Sequence, residues 1–355
     1  MTDLVSVLRK AGQPVRVFQT PDGTRVLVLP HGGRVLGLFA PRSGENFYWT
    51  HPALGSAPSA RAFFAGEAWH NSGGDRTWLA PEVDLFLPNF PRLDLYMQPR
   101  ALDPGHYRVV ETGVDFSLEN RLTLPFSRLK TDVSLKISKR FGPAPNPLRH
   151  ERGLDLRGVA YAGYTQYASL ELTGASRSTK ARVGLWNLVQ MPHGGTLLIP
   201  TFSRSEPCHV FCTPGAISKK DLVVRERLVS YRMRRKGAQK ISLRAAAMTG
   251  RAGYLRGAGD DWSLVVRNFT VNPSGEYVDV PWNDPGWLGF AVQACSVDNE
   301  LGAFSELEYH IPAIGRLTGR TRCDDTAQVW AFRGPKAPIH DIARLLVSNT
   351  PLSSP

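Results

Sequence analysis

Residues Thr131–Phe141 read TDVSLKISKRF. Val133, Leu135 and Ile137 are apolar, and Ser134, Lys136 and Ser138 between them are polar. Side chains alternate across a strand, so this spacing predicts one buried face and one wet face. The same pattern continues outward in short runs divided by Gly, Pro, Asn and Asp. Toward the amino end these are Leu122–Leu124, Val114–Asn120, His106–Glu111 and Arg34–Phe39, the last after a Gly32-Gly33 turn. Before them, Val15–Gln19 and Arg25–Leu29 flank Pro21-Asp22-Gly23, a hairpin by its turn chemistry. Toward the carboxyl end come Leu154–Gln166, Ala168–Thr173, Lys180–Leu188, Gly195–Pro200, His209–Phe211, Leu228–Arg234 and Gln239–Met248. Tyr254–Gly257, Trp262–Asn268, Trp287–Ser296, Phe304–Ile311 and Gln328–Phe332 complete the set. Only the ends look helical: residues 3–11, stopped by Gly12, and Pro338–Ser348, stopped by Asn349 and Pro351. The chain therefore reads as all-β, an antiparallel sandwich of large curved sheets with short N- and C-terminal helices. One domain is expected over 1–355, with its core at about 15–335.

Composition narrows the function. Of 355 residues, 42% are hydrophobic and 21% charged, as in soluble globular proteins. The 33 glycines and 27 prolines fit many turns and few long helices. No apolar run is long enough to span a bilayer, and MTDLVSVLRKAGQP lacks the features of a signal peptide, so a cytoplasmic setting is expected. Cys208, Cys212, Cys295 and Cys323 show no metal-ligand spacing and read as reduced thiols. The acid pairs Asp260-Asp261 and Asp324-Asp325 could bind calcium, but such pairs are more often turn residues; no metal ligand is assigned and no cofactor is expected. The net charge of +12 invites a nucleic-acid reading, but the basic residues are scattered along strands. Their densest run, Arg232–Lys236, reads as a hairpin tip. The expected partner is a sugar, with neither nucleic acid nor membrane.

Two stretches carry candidate chemistry. Ala68–Glu82, AWHNSGGDRTWLAPE, holds His70, Asn71, Asp75, Arg76, Trp78 and Glu82 around Gly73-Gly74. The glycines can take positive φ or let backbone approach closely. Arg76 and Trp78 share a strand face. A guanidinium fork, an indole and a carboxylate together suit a polyhydroxylated ligand. Ala303–Gly315, AFSELEYHIPAIG, has a period of two. Phe304, Glu306, Glu308 and His310 share one face; Ser305, Leu307, Tyr309 and Ile311 share the other, taken as the buried one. Neighbouring carboxylates, one lifted in pKa by the other or by burial, form a general acid–base set. The aromatic-rich residues 41–67 read as irregular, a loop that can wall a site.

The order of three motifs then points to a family. Gly73-Gly74-x-Arg76-x-Trp78-x-Ala80-Pro81-Glu82, Leu185–Gln190 (LWNLVQ) and Glu306–Pro312 (ELEYHIP) resemble the aldose 1-epimerase, or galactose mutarotase-like, superfamily, and most of all its bacterial branches of unknown function. The resemblance covers roughly 15–335. It implies a β-supersandwich with a carbohydrate in an open cleft on one sheet. It makes Glu308 the catalytic base, since Leu307-Glu308-Tyr309-His310 with Pro312 matches the setting of the family's glutamate. The family's mid-chain histidine has no counterpart in Leu185–Gln190, so His70 or His310 is left to serve as acid. Arg76 and Glu82 would bind sugar hydroxyls, Trp78 or Trp186 would stack on the ring, and Gln190 and Glu306 complete the binding set. The implied activity is aldose 1-epimerisation without a cofactor. A non-catalytic carbohydrate-binding protein, or a glycoside hydrolase or polysaccharide lyase on the same fold, remains open.

Overall fold

A computed structural model describes residues 2–113, 115–209 and 217–349. In the Thr131–Phe141 stretch, Val133, Leu135 and Ile137 are fully buried and the residues between them are partly exposed, as the alternation requires. From the amino end, helix α1 (Thr2–Lys10) precedes a meander of β1 (Arg16–Gln19), β2 (Arg25–Leu29) and β3 (Arg34–Phe39). Helix α2 (Ala57–Ala65) leads to β4 (Asp75–Ala80) and the one-turn α3 (Glu82–Leu85). β5 (Arg108–Thr112), β6 (Asp115–Phe126), β7 (Thr131–Pro143) and β8 (Ala160–Leu172) pair in sequence. β9 (Gly184–Pro192) returns to pair with β4. Next come β10 (Thr196–Pro200), β11 (Cys208–His209), β12 (Leu222–Arg225), β13 (Leu228–Arg232) and β14 (Gly237–Leu243). β15 (Arg251–Ala258), β16 (Asp261–Asn268), β17 (Val292–Asn299), β18 (Gly302–His310), β19 (Arg322–Pro335) and helix α4 (Lys336–Leu346) follow.

The strands form two sheets, and every ladder among the described residues is antiparallel. The nine-stranded sheet runs β1-β2-β3-β4-β9-β18-β17-β14-β11 and the ten-stranded sheet runs β12-β13-β10-β15-β16-β19-β8-β7-β6-β5. A continuous apolar core lies between them. α1 and α2 cover the outer face of β2 and β3, and α4 covers the outer face of the ten-stranded sheet. The expected all-β architecture of two large antiparallel sheets with terminal helices is the one observed.

Polar groups also cross the core. Asp75 of β4 accepts a hydrogen bond from Arg267 Nη1 of β16 at 2.6 Å, both side chains being almost wholly buried. Tyr164 of β8 donates to the same carboxylate. Tyr309 of β18 donates to Asp325 Oδ2 of β19 at 2.5 Å. Asn187 of β9 accepts from Thr77 at 2.7 Å and from Gln166 at 3.1 Å. Burial opposes the charge on Arg267, yet Asp75 outweighs it and the guanidinium is held well above its ordinary pKa.

Several expectations need correction. Residues 41–67 are not wholly irregular: Ser56 caps α2 by accepting from Ser59 N, with proline in the first turn. Arg232–Lys236 is no hairpin tip but the crossover from β13 in one sheet to β14 in the other. Met233 inside it is buried and pinned to the backbone of Gly194 and Gly195. Asp324 and Asp325 lie within β19 rather than in a turn. Leu122–Leu124 continues β6, and the two runs expected over 154–173 are the single strand β8. Val114, the first residue of one expected strand, lies outside the described residues, as do Val210, Phe211 and Cys212. Cys208, Cys295 and Cys323 are free thiols.

The buried Asp75–Arg267 pair generates a test. Asp75→Ala strands a buried guanidinium and is expected to cost about 3–5 kcal/mol in urea unfolding. The double substitution Asp75→Leu with Arg267→Met, which removes both charges, is expected to recover much of that loss.

Candidate functional site

The nine-stranded sheet turns one face toward the core. On its other face, cross-strand register assembles a row of polar side chains. Arg76 pairs with Leu188, which pairs with Glu308; Gln190 pairs with Glu306, which pairs with Cys295, which pairs with Lys240. Five strands, β4, β9, β18, β17 and β14, thus contribute to one patch. Over it lies a hollow of about 410 Å³. Its polar floor holds Arg76, Glu306, Glu308, Lys240 and Cys295, with Glu82 entering from α3. Trp69, Trp78, Trp186, Trp282, Tyr96 and Phe304 line it with aromatic surface.

The two glycines bring β4 to its place. Gly73 has φ +98°, and a Cβ there would lie 2.2 Å from Trp49 O. Any other residue at this position is excluded by both conformation and space. Beyond them, Arg76 lies with its guanidinium 4.2 Å from the Trp78 ring centre and donates to Glu306 Oε1 at 2.7 Å. Gln190 donates to the same oxygen at 3.0 Å. The Trp78 ring is held from behind, its Nε1 donating to Asp103 Oδ2 at 2.8 Å, which also accepts from Trp69 and Arg34. Burial opposes ionisation of Asp103, but Arg34, Arg76 and the two indoles outweigh it and hold its pKa below the usual range.

Glu308 is wholly buried. Its Oε2 accepts from Trp186 Nε1 at 2.8 Å and lies 3.3 Å from Lys240 Nζ. Its Oε1 is buried without a hydrogen-bond partner among the described residues. Burial pushes its pKa up to about 7, with Glu306 and Glu82 adding to the rise and Lys240 and Trp186 opposing it. Glu82 is differently placed. It accepts from Tyr96 at 2.7 Å and Trp282 at 3.1 Å, with Lys240 at 3.6 Å. Behind it, Asp279 accepts from Glu82 N, and burial with the nearby Glu82 charge raises its carboxyl to about 7. Burial alone would lower the Lys240 ammonium, but Glu308, Glu82 and Asp279 reverse this and raise it. Burial, with Glu306 and Glu308, raises the Cys295 thiol well above its ordinary value. Cys295, Glu306 and Glu308 present ligand atoms within 4.8 Å of one another, but Arg76 and Lys240 already supply cations to this floor.

Of the residues singled out in the sequence, Arg76, Trp78, Glu82, Trp186, Glu306 and Glu308 line the hollow together, and Gln190 holds Glu306. The histidines do not line it. His310 stacks on Trp186 from behind, and its Nε2 contacts Gln293 Oε1 at 2.6 Å. Burial, and then Lys240, lower its pKa well below the ordinary value, so it is neutral. His70 lies in a separate recess, its Nδ1 2.9 Å from His31 Nε2 and its Nε2 2.9 Å from Gly66 O. The expected wall at 41–67 is absent from the hollow's lining among the described residues. Phe47 and Tyr48 pack in the core, Trp49 packs against Phe304, and Phe63 and Phe64 flank His70.

Sequence reasoning missed Lys240, Cys295, Trp69, Tyr96 and Trp282 as site residues. Lys240 shared a period of two with Ala238 and Ser242, but nothing local marked which face was functional. Tyr96 and Trp282 come from loops, and only the tertiary fold brings them to Glu82.

No protein-family model matches the sequence, and no curated protein matches it either. Solved structures of aldose 1-epimerase homologues are similar to it in overall chain path. A putative aldose 1-epimerase from Klebsiella pneumoniae is 11% identical, with 94% of this chain and 83% of that chain covered and a TM-score of 0.46. Galactose 1-epimerase from Lactobacillus acidophilus is 10% identical, with 90% and 94% covered and a TM-score of 0.39. The aldose epimerase homologue from C. elegans is 9% identical, with 91% and 100% covered and a TM-score of 0.39.

Lys240 faces two buried carboxylates, and its loss has a predictable pH signature. The Glu308 carboxyl titrates near 4.5 when unfolded and near 7 when folded. The folded state therefore binds the extra proton, and this group's contribution to stability falls as pH rises from 4.5 to 7. Lys240→Met raises the folded carboxyl further. The substitution is expected to cost about 3–5 kcal/mol at alkaline pH and clearly less in mild acid, measured by chemical unfolding across pH.

Proposed function

We propose that the hollow binds a sugar ring and that Glu308 performs acid–base chemistry at its anomeric centre, as in aldose 1-epimerisation. The observation that carries this reading is the Glu308 Oε1 atom, buried at the hollow and lacking a hydrogen-bond partner among the described residues. A carboxyl titrating near 7 is suited to take and return a proton at neutral pH. Glu306 is held by Arg76 and Gln190, and Glu82 by Tyr96 and Trp282, which suits both for binding rather than proton transfer. The indole faces supply apolar surface for the ring, and the Nε and Nη1 of Arg76, without hydrogen-bond partners among the described residues, offer donors to hydroxyls.

In this mechanism Glu308 Oε1 removes the proton from the anomeric hydroxyl. The oxygen's electron pair forms the carbonyl as the bond from C1 to the ring oxygen breaks. Lys240, rather than either histidine, gives the ring oxygen its proton. Glu308 and Lys240 are 3.3 Å apart, so a proton can pass directly between them to reset the pair. C1 rotates, and closure in the reverse sense gives the other anomer. Three carboxylates and two cations line the hollow, which favours a neutral aldose over an anionic one. A second reading, a carbohydrate-binding protein without turnover, is favoured by the position of both histidines outside the hollow.

Mutarotation followed by polarimetry over a panel of neutral aldoses tests the reading. The rate is expected to rise with pH through about 7, as Glu308 loses its proton. Glu308→Gln is expected to lower it by roughly 10²–10⁴-fold. An unchanged rate in that variant would remove Glu308 as the base. A sugar that raises the melting temperature without any turnover would select the binding reading.

A further inference from the structure

A second pocket, of about 180 Å³, lies on the outer face of the ten-stranded sheet. Alternation along β10, β13 and β15 builds its floor. Leu197, Tyr231 and Tyr254 point into the inter-sheet core, so Leu198, Leu228 and Leu255 point outward and line the pocket. Trp262 and His340 stand against each other as one wall, ring centres 4.7 Å apart. Arg225, Arg232, Arg234 and Arg256, from β12, β13, the crossover and β15, complete the lining.

Among the described residues no carboxylate lines this pocket. Arg234 and Arg256 donate to the carbonyls of Gly194 at 3.3 Å and His193 at 3.1 Å, contacts that orient the guanidiniums and leave their charge in place. Asp221, which lies near Arg232, accepts from Arg235 at 2.7 Å and Ser218 at 2.8 Å. The Nε2 atom of His340 is buried without a partner among the described residues. Arg234 and Arg256, each bonded to a neutral carbonyl, bring two positive charges to one small pocket, and an anion relieves their repulsion. The planar fork of arginine fits phosphate oxygens in a bidentate manner. The leucine floor and indole wall suit an organic body rather than a bare ion.

We propose that this pocket is a binding site for a small phosphate monoester, its phosphate held by Arg234 and Arg256 and its organic body lying on Leu198, Leu228 and Trp262. It is separate from the hollow and does not depend on the sugar reading. Isothermal titration with phenyl phosphate tests it, with inorganic phosphate and benzyl alcohol as the two partial ligands. Phenyl phosphate is expected to bind saturably, more tightly than either, and more weakly as salt rises. Arg234→Ala and Arg256→Ala are each expected to weaken it roughly tenfold, while Arg157→Ala, a surface residue bonded to Asp155, leaves it unchanged. Arg234 is exposed, so its variant is expected to fold, which circular dichroism checks. Absence of saturable binding, or binding that Arg234→Ala leaves intact, would overturn the proposal. Equal binding of benzyl alcohol would overturn the role of the phosphate, and equal binding of inorganic phosphate that of the organic body.

Discussion

The hollow depends on the strands around it being fixed from behind, and the buried Asp75–Arg267 pair is the most fully buried ion pair among those fixings. A strand shows alternate residues to alternate faces, so whatever holds one face sets the other. On β4, Asp75 and Thr77 bond toward the core, which leaves Arg76 and Trp78 for the hollow. On β9, Asn187 bonds inward and Trp186 and Leu188 face out. On β18, Tyr309 bonds to Asp325 and Ser305 to Tyr254, and Glu306 and Glu308 face out. A one-residue slip in any of these strands would exchange its floor residues for its core residues. Apolar packing alone tolerates such exchanges poorly; a carboxylate that must meet one guanidinium tolerates them less.

This arrangement explains what the sequence could and could not tell. The alternation in Thr131–Phe141 and the Pro21-Asp22-Gly23 turn are local signals, and the corresponding strands formed where expected. The period of two in Phe304–His310 also identified the face carrying Glu306 and Glu308. What the residues could not give was register. The adjacency of Lys240 to Cys295, and of Cys295 to Glu306, is a property of pairing between strands distant in the chain. The same limit explains Arg232–Lys236, where polar residues that look like a turn surround Met233, the residue that anchors the crossover. Helix α2 was legible in principle, since Ser56, Pro58 and Ser59 form a capping signal, but the surrounding aromatic residues suggested a loop.

Charge is partitioned over the molecule in a way that the net value of +12 conceals. The hollow carries more carboxylates than cations, while the pocket on the opposite sheet carries arginines and no carboxylate among the described residues. A single overall charge therefore says little about the electrostatics of either cavity. The excess of basic residues makes the outer surface attractive to anions in general, whereas selectivity at each site follows from the groups within a few ångströms.

Within the hollow, burial and pairing act together to set the protonation states. Placing Glu308 out of water favours its neutral form, and Lys240 beside it restores part of the preference for charge. The carboxylates that it stabilises in turn favour the charged form of the same lysine while they are ionised. It also disfavours protonation of His310, which sits behind Trp186 and is already neutral through burial. A charged His310 and a lysine-supported Glu308 carboxylate are thus in conflict at this position: the cation that supports the carboxylate disfavours a second cation nearby. The cation consistent with that electrostatic balance is the lysine itself, which lines the floor of the hollow.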